Sequence, residues 1–529
     1  MTSFWMRFKR ITYLVHRWTG VGACVLMAIW FLSGMVMLFV GYPKLLPAER
    51  LAALPVLSAA ECCVPVEAAL AQAEKPTDVR EIQLTAQGGQ PYYRLLQSDG
   101  KYVTVNARTG LRSTTITKDE AVLAARTYEE QASGRRDSTG GPIKPIAERK
   151  KAQPPQNTDA SWLGLTQEDR WTHSGRLNAH RPLHRVQLED PAHTLLYVSS
   201  STGEVVMDAP RAERVWNYVG AWLHWLYMFR NQPSDPTWTW LVIILSAVGV
   251  ITAVSGTFVG LWRWRFSHPY KSGSHSPYRD GWMRWHHLAG LLFAATTCTW
   301  IFSGLMSMNP VGVFNPQHAR PDIAAWRGTT PGQQRLALQA PDALSLLARE
   351  GFYARQLEWR VLNKQPYLLA RDAGNHVRLI VHEGDGYTVR KQWPQSVLIA
   401  GVHHLLKAPV EAVSSLSNYD AYYFHRAPAS MYGADDRRLP VLRVVFKDAD
   451  ATWVYIDPHT GDIEQSLSRR QRVGRWLFNL LHSWDFQPML KAELTRNIAL
   501  ILLSIGGLAM SVTGVWIGYI RLRRKLMMG

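Results

Sequence analysis

Four histidines recur at matched positions in two copies of one sequence pattern, and imidazoles can bind a metal in pairs. At one constant spacing, His16, Gly20, Trp30, Ser33 and Gly34 match His286, Gly290, Trp300, Ser303 and Gly304. In a later segment, His224 recurs as His482 at a second constant spacing, shared by the residues around it. Neutral imidazole binds haem iron well, and two axial histidines leave no open position, so that such a haem transfers electrons. The sequence therefore predicts two haem b groups, each bound by two histidines.

Glycines share one helix face with the first of these histidines. His16 and Gly34 are separated by about five full turns at 3.6 residues per turn. Gly20 lies one turn from His16, and Gly290 and Gly304 repeat the pattern in the second copy. Glycines at these points leave room for a flat macrocycle between helices, whereas close helix packing alone is the alternative interpretation.

The other two histidines precede later apolar segments on short amphipathic helices, predicted at Val215 to Phe229 and Val473 to Trp484. Each histidine stands at the same distance before the glycine of a matched Ser-Gly or Thr-Gly pair. The alternative interpretation is a membrane-surface helix whose histidine lies among lipid headgroups. Because both copies keep the same spacing, we predict that His224 and His482 are ligands.

The direction of the chain sorts the ligands into pairs. The first and third spans are both expected to run from inside to outside, which places His16 and His286 together at the cytoplasmic face. His224 and His482 are then expected together at the outer face. His287 is a second candidate beside His286, although it has no counterpart in the first copy and points about 100° around the helix.

Four apolar stretches of about 20 residues or more are each long enough to cross a membrane. They are Leu14 to Val40, Trp238 to Trp264, His286 to Met308 and Asn497 to Ile520. The predicted fold is an α-helical membrane protein whose four transmembrane helices form a duplicated two-helix unit, with two large periplasmic α+β regions. The predicted boundaries are residues 1–41 (first span), 42–211 (first outer region), 212–264 (interfacial helix and second span), 265–281 (cytoplasmic loop), 282–308 (third span), 309–471 (second outer region) and 472–529 (interfacial helix, fourth span and basic tail).

The net charge of +18 is concentrated near the ends of the spans. Residues 1–17, 263–284 and 521–525 each carry a net +4, and the positive-inside rule places such segments in the cytoplasm. Both termini are therefore expected inside a bacterial inner membrane, in contact with lipid, and both long loops in the periplasm. This distribution argues against nucleic acid as a partner. The first span lacks a cleavage site and is predicted to stay as an anchor.

The outer loops alternate helical and strand patterns that turn at glycine. Predicted strands include Tyr92 to Leu96, Tyr102 to Asn106 and Leu442 to Phe446, and a Pro- and Gly-rich linker is predicted at Gly134 to Thr158. Of the four cysteines, the neighbours Cys62 and Cys63 are expected to be separate thiols, although a disulfide is the open alternative.

Two hairpins carry a resemblance to PepSY modules, which are small α+β units. Tyr197 to Glu204 and Tyr455 to Asp462 both fit the pattern Tyr-x-x-x-x-Thr-Gly-Glu/Asp. Together with His16-Arg17-Trp18-Thr19-Gly20, Leu223-His224-Trp225 and Leu481-His482-Ser483, they make nearly the whole chain resemble the PepSY-associated transmembrane helix family. Within that family, members with this layout are linked to reduction of ferric siderophores on the periplasmic side. The resemblance therefore implies an oxidoreductase of iron uptake.

The residues themselves indicate electron transfer and assign no catalytic side chain. No dinucleotide motif is present and the inner loops are too short for a flavin domain, so the expected donor is quinol or a separate cytoplasmic reductase. The expected acceptor is a periplasmic ferric chelate near Trp222, Trp225 and Trp484. The segment Asn418 to Arg438 is rich in aromatic and cationic residues suited to an anionic or catecholate chelate: Tyr419, Tyr422, Tyr423, Arg426, Tyr432, Arg437 and Arg438.

Two other function classes are considered. A non-enzymatic PepSY binding or regulatory membrane protein would keep the loops and have no need of the histidines. A metal permease is disfavoured because Asp and Glu are almost absent from the spans. Four arginines are candidates to pair with haem propionates, although the positive-inside rule already explains them: Arg263, Arg265, Arg521 and Arg523.

Overall fold

A computed structural model of the protein describes residues 2–113, 115–136, 159–230, 235–279, 281–310, 312, 320–333, 338–426 and 436–527. Most of the predicted linker Gly134 to Thr158 lies outside the described residues, and so does Tyr432. The α-helices are α1 (Thr2–Met37), α2 (Pro47–Ala52), α3 (Val66–Leu70), α4 (Lys118–Arg136), α5 (Arg211–Asn217), α6 (Pro236–Arg263), α7 (Trp282–Leu292), α8 (Ala294–Ser307), α9 (Ile323–Arg327), α10 (Ala340–Arg349), α11 (Gln395–Gly401), α12 (Arg469–Arg475), α13 (Leu481–Ser483), α14 (Gln487–Lys491) and α15 (Glu493–Met527).

The strands form three antiparallel sheets in the described part of the chain. They are β1 (Val79–Gln87), β2 (Gln90–Gln97), β3 (Tyr102–Asn106), β4 (Ala160–Thr166), β5 (Leu183–Leu188), β6 (Leu195–Ser199), β7 (Val205–Ala209), β8 (Gln356–Leu362), β9 (Gln365–Arg371), β10 (Val377–Glu383), β11 (Gly386–Arg390), β12 (Val410–Leu416), β13 (Val441–Phe446), β14 (Trp453–Ile456) and β15 (Ile463–Leu467).

Membrane-spanning helices are present, as the apolar stretches predict. Among the described residues, α1, α6 and α15 are each long and apolar enough to cross a membrane. The helices α7 and α8 are bent by 70° where they meet, and they make a fourth span only when taken together. The expectation of one continuous third helix is therefore wrong.

The break lies at Phe293, between α7 and α8. In the repeated pattern Phe293 stands where α1 has Ala23, and its ring lies so close to Gly506 of α15 that an added Cβ there would overlap it. The break therefore coincides with the contact between Phe293 and Gly506, whereas α1, which has Ala23 at the matched position, is continuous.

The outer part of the chain is built from one shared sheet and two smaller ones. The shared sheet has seven strands in the order β11-β10-β9-β8-β1-β2-β3, so strands from both outer regions join at the β1–β8 pair. The smaller sheets have the order β4-β5-β6-β7 and β12-β13-β14-β15. The Tyr-x-x-x-x-Thr-Gly hairpins connect β6 to β7 and β14 to β15, and their Gly203 and Gly461 have φ of +68° and +79°, which glycine adopts readily.

The two predicted interfacial helices are interrupted by a wider turn. A π-helical segment, Tyr218–Trp222, follows α5, and Trp476–Leu480 follows α12. Two residues after each histidine, Leu226 and Trp484 adopt left-handed φ values of +53°. π turns are rare and often occur at functional sites.

The cysteines outside the helices depart from expectation. Cys62 and Cys63 are joined by a disulfide, so the expectation of two separate thiols is wrong. The adjacent side chains are close enough to bond because one peptide unit separates them. Cys24 and Cys298 are free thiols.

Candidate functional site

The structure brings the four histidines together as two pairs. The rings of His16 and His286 have centroids 6.3 Å apart and planes inclined by 28°. The rings of His224 and His482 also have centroids 6.3 Å apart, with planes inclined by 80°. A metal–imidazole nitrogen bond is about 2 Å long, so two rings on opposite sides of one metal have centres about 6 Å apart. Both separations are compatible with one metal between each pair.

Backbone carbonyl groups orient the inner pair, which consists of His16 on α1 and His286 on α7. His16 Nδ1 is 3.1 Å from the carbonyl oxygen of Thr252 on α6, and His286 Nδ1 is 3.1 Å from that of Met510 on α15. A carbonyl oxygen only accepts, so each Nδ1 must carry the proton. The lone pair of each ring is then on Nε2, which is the nitrogen available to a metal.

Serine hydroxyl groups orient the outer pair, which consists of His224 and His482, in the same way. Ser33 Oγ lies 3.0 Å from His224 Nδ1 and itself donates to the carbonyl of Ile29. Ser303 Oγ lies 3.0 Å from His482 Nδ1 and donates to the carbonyl of Trp300. Because each hydroxyl proton is already used, the serine oxygen accepts from Nδ1–H and again leaves Nε2 for a ligand.

The predicted glycines divide into two kinds. At Gly34 an added Cβ would be 3.8 Å from Cε1 of His224, and at Gly304 it would be 4.0 Å from Cε1 of His482, so the outer imidazoles rest on these backbones. At Gly20 and Gly290 the nearest atoms are 3.9 Å and 4.0 Å away and belong to α6 and α15. Both distances are ordinary van der Waals contacts, and Gly290 also lines a cavity beside the inner pair.

Two further glycines, Gly256 and Gly514, lie still closer to the imidazoles of the inner pair, and the sequence alone did not assign them this contact. At Gly256 an added Cβ would lie only 2.6 Å from Cε1 of His16, and at Gly514 it would lie 3.2 Å from Cε1 of His286. Both glycines occupy matched positions in the sequence. Their repeated spacing from the histidines was visible there, but their contact with the imidazoles of another helix was not.

A small cavity of about 130 Å³ opens beside the inner pair and is lined by His16, His286 and Gly290. Arg263 also lines the cavity, and its Nε donates to Tyr13 Oη at 3.1 Å. Of the four arginines considered for propionates, this is the one that reaches the cavity wall.

The alternative ligand His287 has both ring nitrogens occupied. Its Nδ1 is 2.8 Å from Ser276 Oγ, and its Nε2 is 3.0 Å from the carbonyl oxygen of Gly260. This buried side chain ties the loop after α6 to α7. The geometry therefore favours His286 as the residue that faces a ligand.

The three tryptophans expected near an outer acceptor, Trp222, Trp225 and Trp484, lie in different surroundings. Trp225 lines a cavity of about 590 Å³ together with Tyr227 and Trp238, whereas the ring of Trp222 stacks on that of Tyr218 with centroids 4.3 Å apart. Trp484 has the left-handed backbone described above.

Most aromatic and cationic residues of Asn418 to Arg438 are used inside the protein. Tyr423 is fully buried and donates to the carbonyl of Arg438, and Arg426 forms an ion pair with Asp485. Arg437 and Arg438 line a different, polar cleft. The described part of the segment, residues 418–426 and 436–438, does not form one open surface.

The repeated contacts and outer hairpins agree with the family comparison. The family model described as the PepSY-associated TM region matches residues 13–521. The chain belongs to this family. The matched residues include all four histidines, both Thr-Gly hairpins and most of each spanning helix. Comparison with curated proteins finds no match to the chain.

Proposed function

We propose that this protein is an inner-membrane oxidoreductase that holds two haem b groups and passes electrons across the membrane to a periplasmic ferric chelate. The observation that carries the proposal is the pair of imidazoles at each of two levels of the helix bundle, with centroids 6.3 Å apart in both. Every ring has its Nδ1 held by an acceptor, which leaves four Nε2 atoms for two metals.

The repeated contacts support a duplicated two-helix unit, made of α1 with α6 and of α7/α8 with α15. His16 packs on Gly256 as His286 packs on Gly514. The other matched contacts are Ser33 with His224 and Ser303 with His482, and Thr252 with His16 and Met510 with His286. Each unit thus contributes one histidine to each pair.

The two pairs are separated along the direction of α1. His16 belongs to the inner pair, and Gly34, near the other end of the same helix, contacts His224 of the outer pair. The helix between His16 and Gly34 is about 27 Å long, which is most of the thickness of a hydrocarbon core. On the second unit, His286 of α7 and Ser303 of α8 contact the same two levels, which supports the interpretation of α7 and α8 as one broken span.

Apolar and aromatic side chains fill the space between the two levels. Phe31 and Ile301 are buried there, and the ring of Trp300 lies 6.0 Å from that of Phe31. They exclude water from the region that an electron must cross. The basic segments at the chain ends and after α6 support the expected orientation, with both termini in the cytoplasm and both large loops in the periplasm.

A haem held by two imidazoles supplies reversible one-electron transfer, with no open iron position for oxygen. The residues of this chain fix the ring orientation, hold the Nδ1 protons and keep the space between the pairs apolar. The net reaction delivers one electron to Fe(III) in the chelate and yields Fe(II). Quinol or a separate cytoplasmic reductase supplies that electron.

The proposal is tested by spectroscopy of the full-length protein purified in detergent. We expect a low-spin b-type reduced-minus-oxidised spectrum and two haems per chain. His16→Ala and His224→Ala are each expected to lose one haem, whereas His287→Ala, the matched control, is expected to keep both. A protein expressed with an ample haem supply that shows no haem absorbance would refute the proposal and favour a non-enzymatic PepSY protein.

A cellular assay separates the same two classes. If electrons reach a ferric chelate through the outer pair, cells carrying His224→Ala and His482→Ala lose growth on chelated iron, although the protein level stays normal. Unimpaired growth at normal protein level, in cells that depend on this protein for that iron source, would contradict the proposed reaction.

A further inference from the structure

The end of the helix bundle nearest the inner pair carries many cations and almost no carboxylates. Each of its three basic segments has a net charge of +4. Asp280 is the only aspartate or glutamate in the spans and the segments next to them, which are residues 1–48, 236–308 and 494–529. Carboxylates of the chain therefore leave most of this positive charge uncancelled.

One of these cations, Lys9, lies inside an aromatic cluster formed by Trp5, Tyr13 and Trp262. Trp5, Lys9 and Tyr13 follow one another at intervals of four residues on α1, so their side chains share one face of the helix. That face meets the end of α6, where the ring centroid of Trp262 lies 5.8 Å from that of Trp5 and 6.1 Å from that of Tyr13. Lys9 Nζ is 5.3 Å from the ring centroid of Trp5 and 5.5 Å from that of Trp262. Both distances are within the range of cation–π attraction.

A second cation, Arg263, borders the same aromatic cluster. Its guanidinium carbon lies 5.1 Å from the ring centroid of Tyr13, and its Nε donates to Tyr13 Oη at 3.1 Å. The one carboxylate at this end of the bundle, Asp280, lies outside the described residues. Aromatic side chains thus hold two positive charges at the contact between α1 and α6.

Exposed apolar side chains surround the aromatic cluster. The ring centroids of Phe8 and Phe258 lie 6.0 Å and 5.8 Å from that of Trp262. Both phenylalanines are exposed, and so are Phe4 and Leu261. Cations held beside exposed apolar groups match an amphipathic anion, in which a charged head group is joined to apolar chains.

The second copy of the repeated pattern keeps the cations and lacks the aromatic cluster. At the two constant spacings of the repeat, Lys9 matches Arg279 and Arg263 matches Arg521. The counterparts of the aromatic cluster are neither Trp nor Tyr: Trp5, Tyr13 and Trp262 match His275, Met283 and Ile520. Cations in both copies are what the positive-inside rule requires. The aromatic cluster goes beyond that requirement and is specific to the contact between α1 and α6.

We propose that Lys9, Arg263 and the aromatic cluster bind the phosphate group of an anionic phospholipid in the inner leaflet. The two cations pair with the phosphate, and the exposed phenylalanines contact the acyl chains. Trp and Tyr side chains are well suited to the headgroup level of a membrane. Lys9 is about 10 Å along α1 from His16, which places the lipid beside the inner pair. This lipid site does not depend on haem and goes beyond the proposed function.

The experiment measures lipid binding to the full-length protein, freed of lipid in detergent. The protein is titrated with phosphatidylglycerol or with phosphatidylcholine of the same acyl chains, and bound lipid is counted by native mass spectrometry. We expect a site that binds phosphatidylglycerol at least about tenfold more tightly. Equal affinity for the two lipids would overturn the proposal. A site that inorganic phosphate or polyglutamate occupies more tightly than phosphatidylglycerol would also overturn it, and would assign the cations to a free anion or to an acidic protein.

Four variants locate the lipid site. Lys9→Gln is expected to weaken binding of phosphatidylglycerol at least about fivefold, whereas Lys9→Arg keeps the charge and is expected to retain most of the affinity. Trp262→Leu removes a ring beside Lys9 without changing the charge and is expected to weaken binding about two- to threefold. Arg279→Gln is the matched control, because it removes the same charge at the matched position of the second copy. It is expected to leave the affinity of this site unchanged.

Two results would overturn the lipid site. Equal weakening in Lys9→Gln and Arg279→Gln would show that binding follows the net charge of this end of the bundle and not the aromatic cluster. Unchanged affinity in both Lys9→Gln and Trp262→Leu would show that the lipid binds elsewhere. Neither result bears on the haem content, so failure of the lipid site and failure of the proposed function are distinguishable.

Discussion

The hydroxyl groups of Ser33 and Ser303 provide the sharpest test of the ligand geometry, because they contact the outer imidazoles and not the inner ones. Each hydroxyl lies 3.0 Å from Nδ1 of an outer histidine. The inner histidines use backbone carbonyl groups, which no side-chain replacement removes, and His286 Nδ1 also lies 3.1 Å from the hydroxyl oxygen of Thr513. We therefore expect Ser33→Ala and Ser303→Ala to affect one haem and spare the other.

The size of the effect follows from the lost hydrogen bond. Ser33→Ala removes the hydroxyl that accepts from the buried Nδ1–H of His224, whose ring also has the backbone of Trp30 as a hydrogen-bond partner, at a cost of about 1 kcal/mol. Loss of such an orienting partner typically lowers metal affinity about 10–100-fold, and the lower end of that range corresponds to this cost. The double variant with Ser303→Ala is expected to lose the outer haem during purification.

The assay is haem retention during dialysis, followed by a redox titration in which the two haems are resolved. Ser33→Thr keeps a hydroxyl and is expected to restore retention. Thr299→Val is the control, because that hydroxyl donates to the carbonyl of Thr296 and does not line the cavity beside the inner pair. Two haems retained with unchanged midpoint potentials in the double alanine variant would refute the assignment of Nδ1 and Nε2.

Two further predictions concern packing and pH. Gly256→Ala is expected to weaken retention of the inner haem at least about tenfold in the same dialysis assay, because the new Cβ would lie 2.6 Å from the imidazole of His16 and overpacking costs about 1–3 kcal/mol. Gly22→Ala is the control and should leave retention unchanged, because the space beside Gly22 is open. Full retention of the inner haem in Gly256→Ala would contradict this packing. Burial, and then Glu49 and Glu213, raise the pKa of Asp208 to about 7. The folded state therefore holds a proton that the unfolded state has released between about pH 4 and 7, so stability falls as the pH rises through this window. Asp208→Asn should raise the thermal midpoint of unfolding by at least about 2–4 °C at pH 8 and leave it nearly unchanged at pH 4, as measured by melting curves. Equal shifts of the midpoint at pH 8 and pH 4 would contradict the raised pKa of Asp208.

Much of the fold was predictable because its signals are local in sequence. The apolar lengths located α1, α6 and α15, and the Thr-Gly turns located the hairpins of the two smaller sheets. The bend at Phe293 was not predicted, since no proline marks it in the sequence, and the contact of its ring with Gly506 joins segments far apart along the chain. The β1–β8 pair was missed for the same reason, because its partners come from different outer regions.

The candidate site was predictable in its residue types and less so in its contacts. Repetition at constant spacing singled out His16, His286, His224 and His482, and the structure brings them together in the expected pairs. The choice between His286 and His287 required the hydrogen bonds of both rings. Four arginines of the polar cleft were not singled out, because they are scattered along the chain: Arg50, Arg176, Arg360 and Arg371. Arg437 and Arg438 were noted, but without the cleft that they line.

The sequence by itself determined that this is a membrane protein built on a repeated pattern of histidines, glycines and apolar spans. These properties follow from the length of apolar stretches and from spacings within single helices, which need no knowledge of distant residues. Only the tertiary structure decided which nitrogen of each imidazole is free, where the third span breaks and which charged residues share a cleft. Each of these depends on groups brought within a few ångströms from segments far apart in the chain, and hydrogen bonds and close packing act only at such short range.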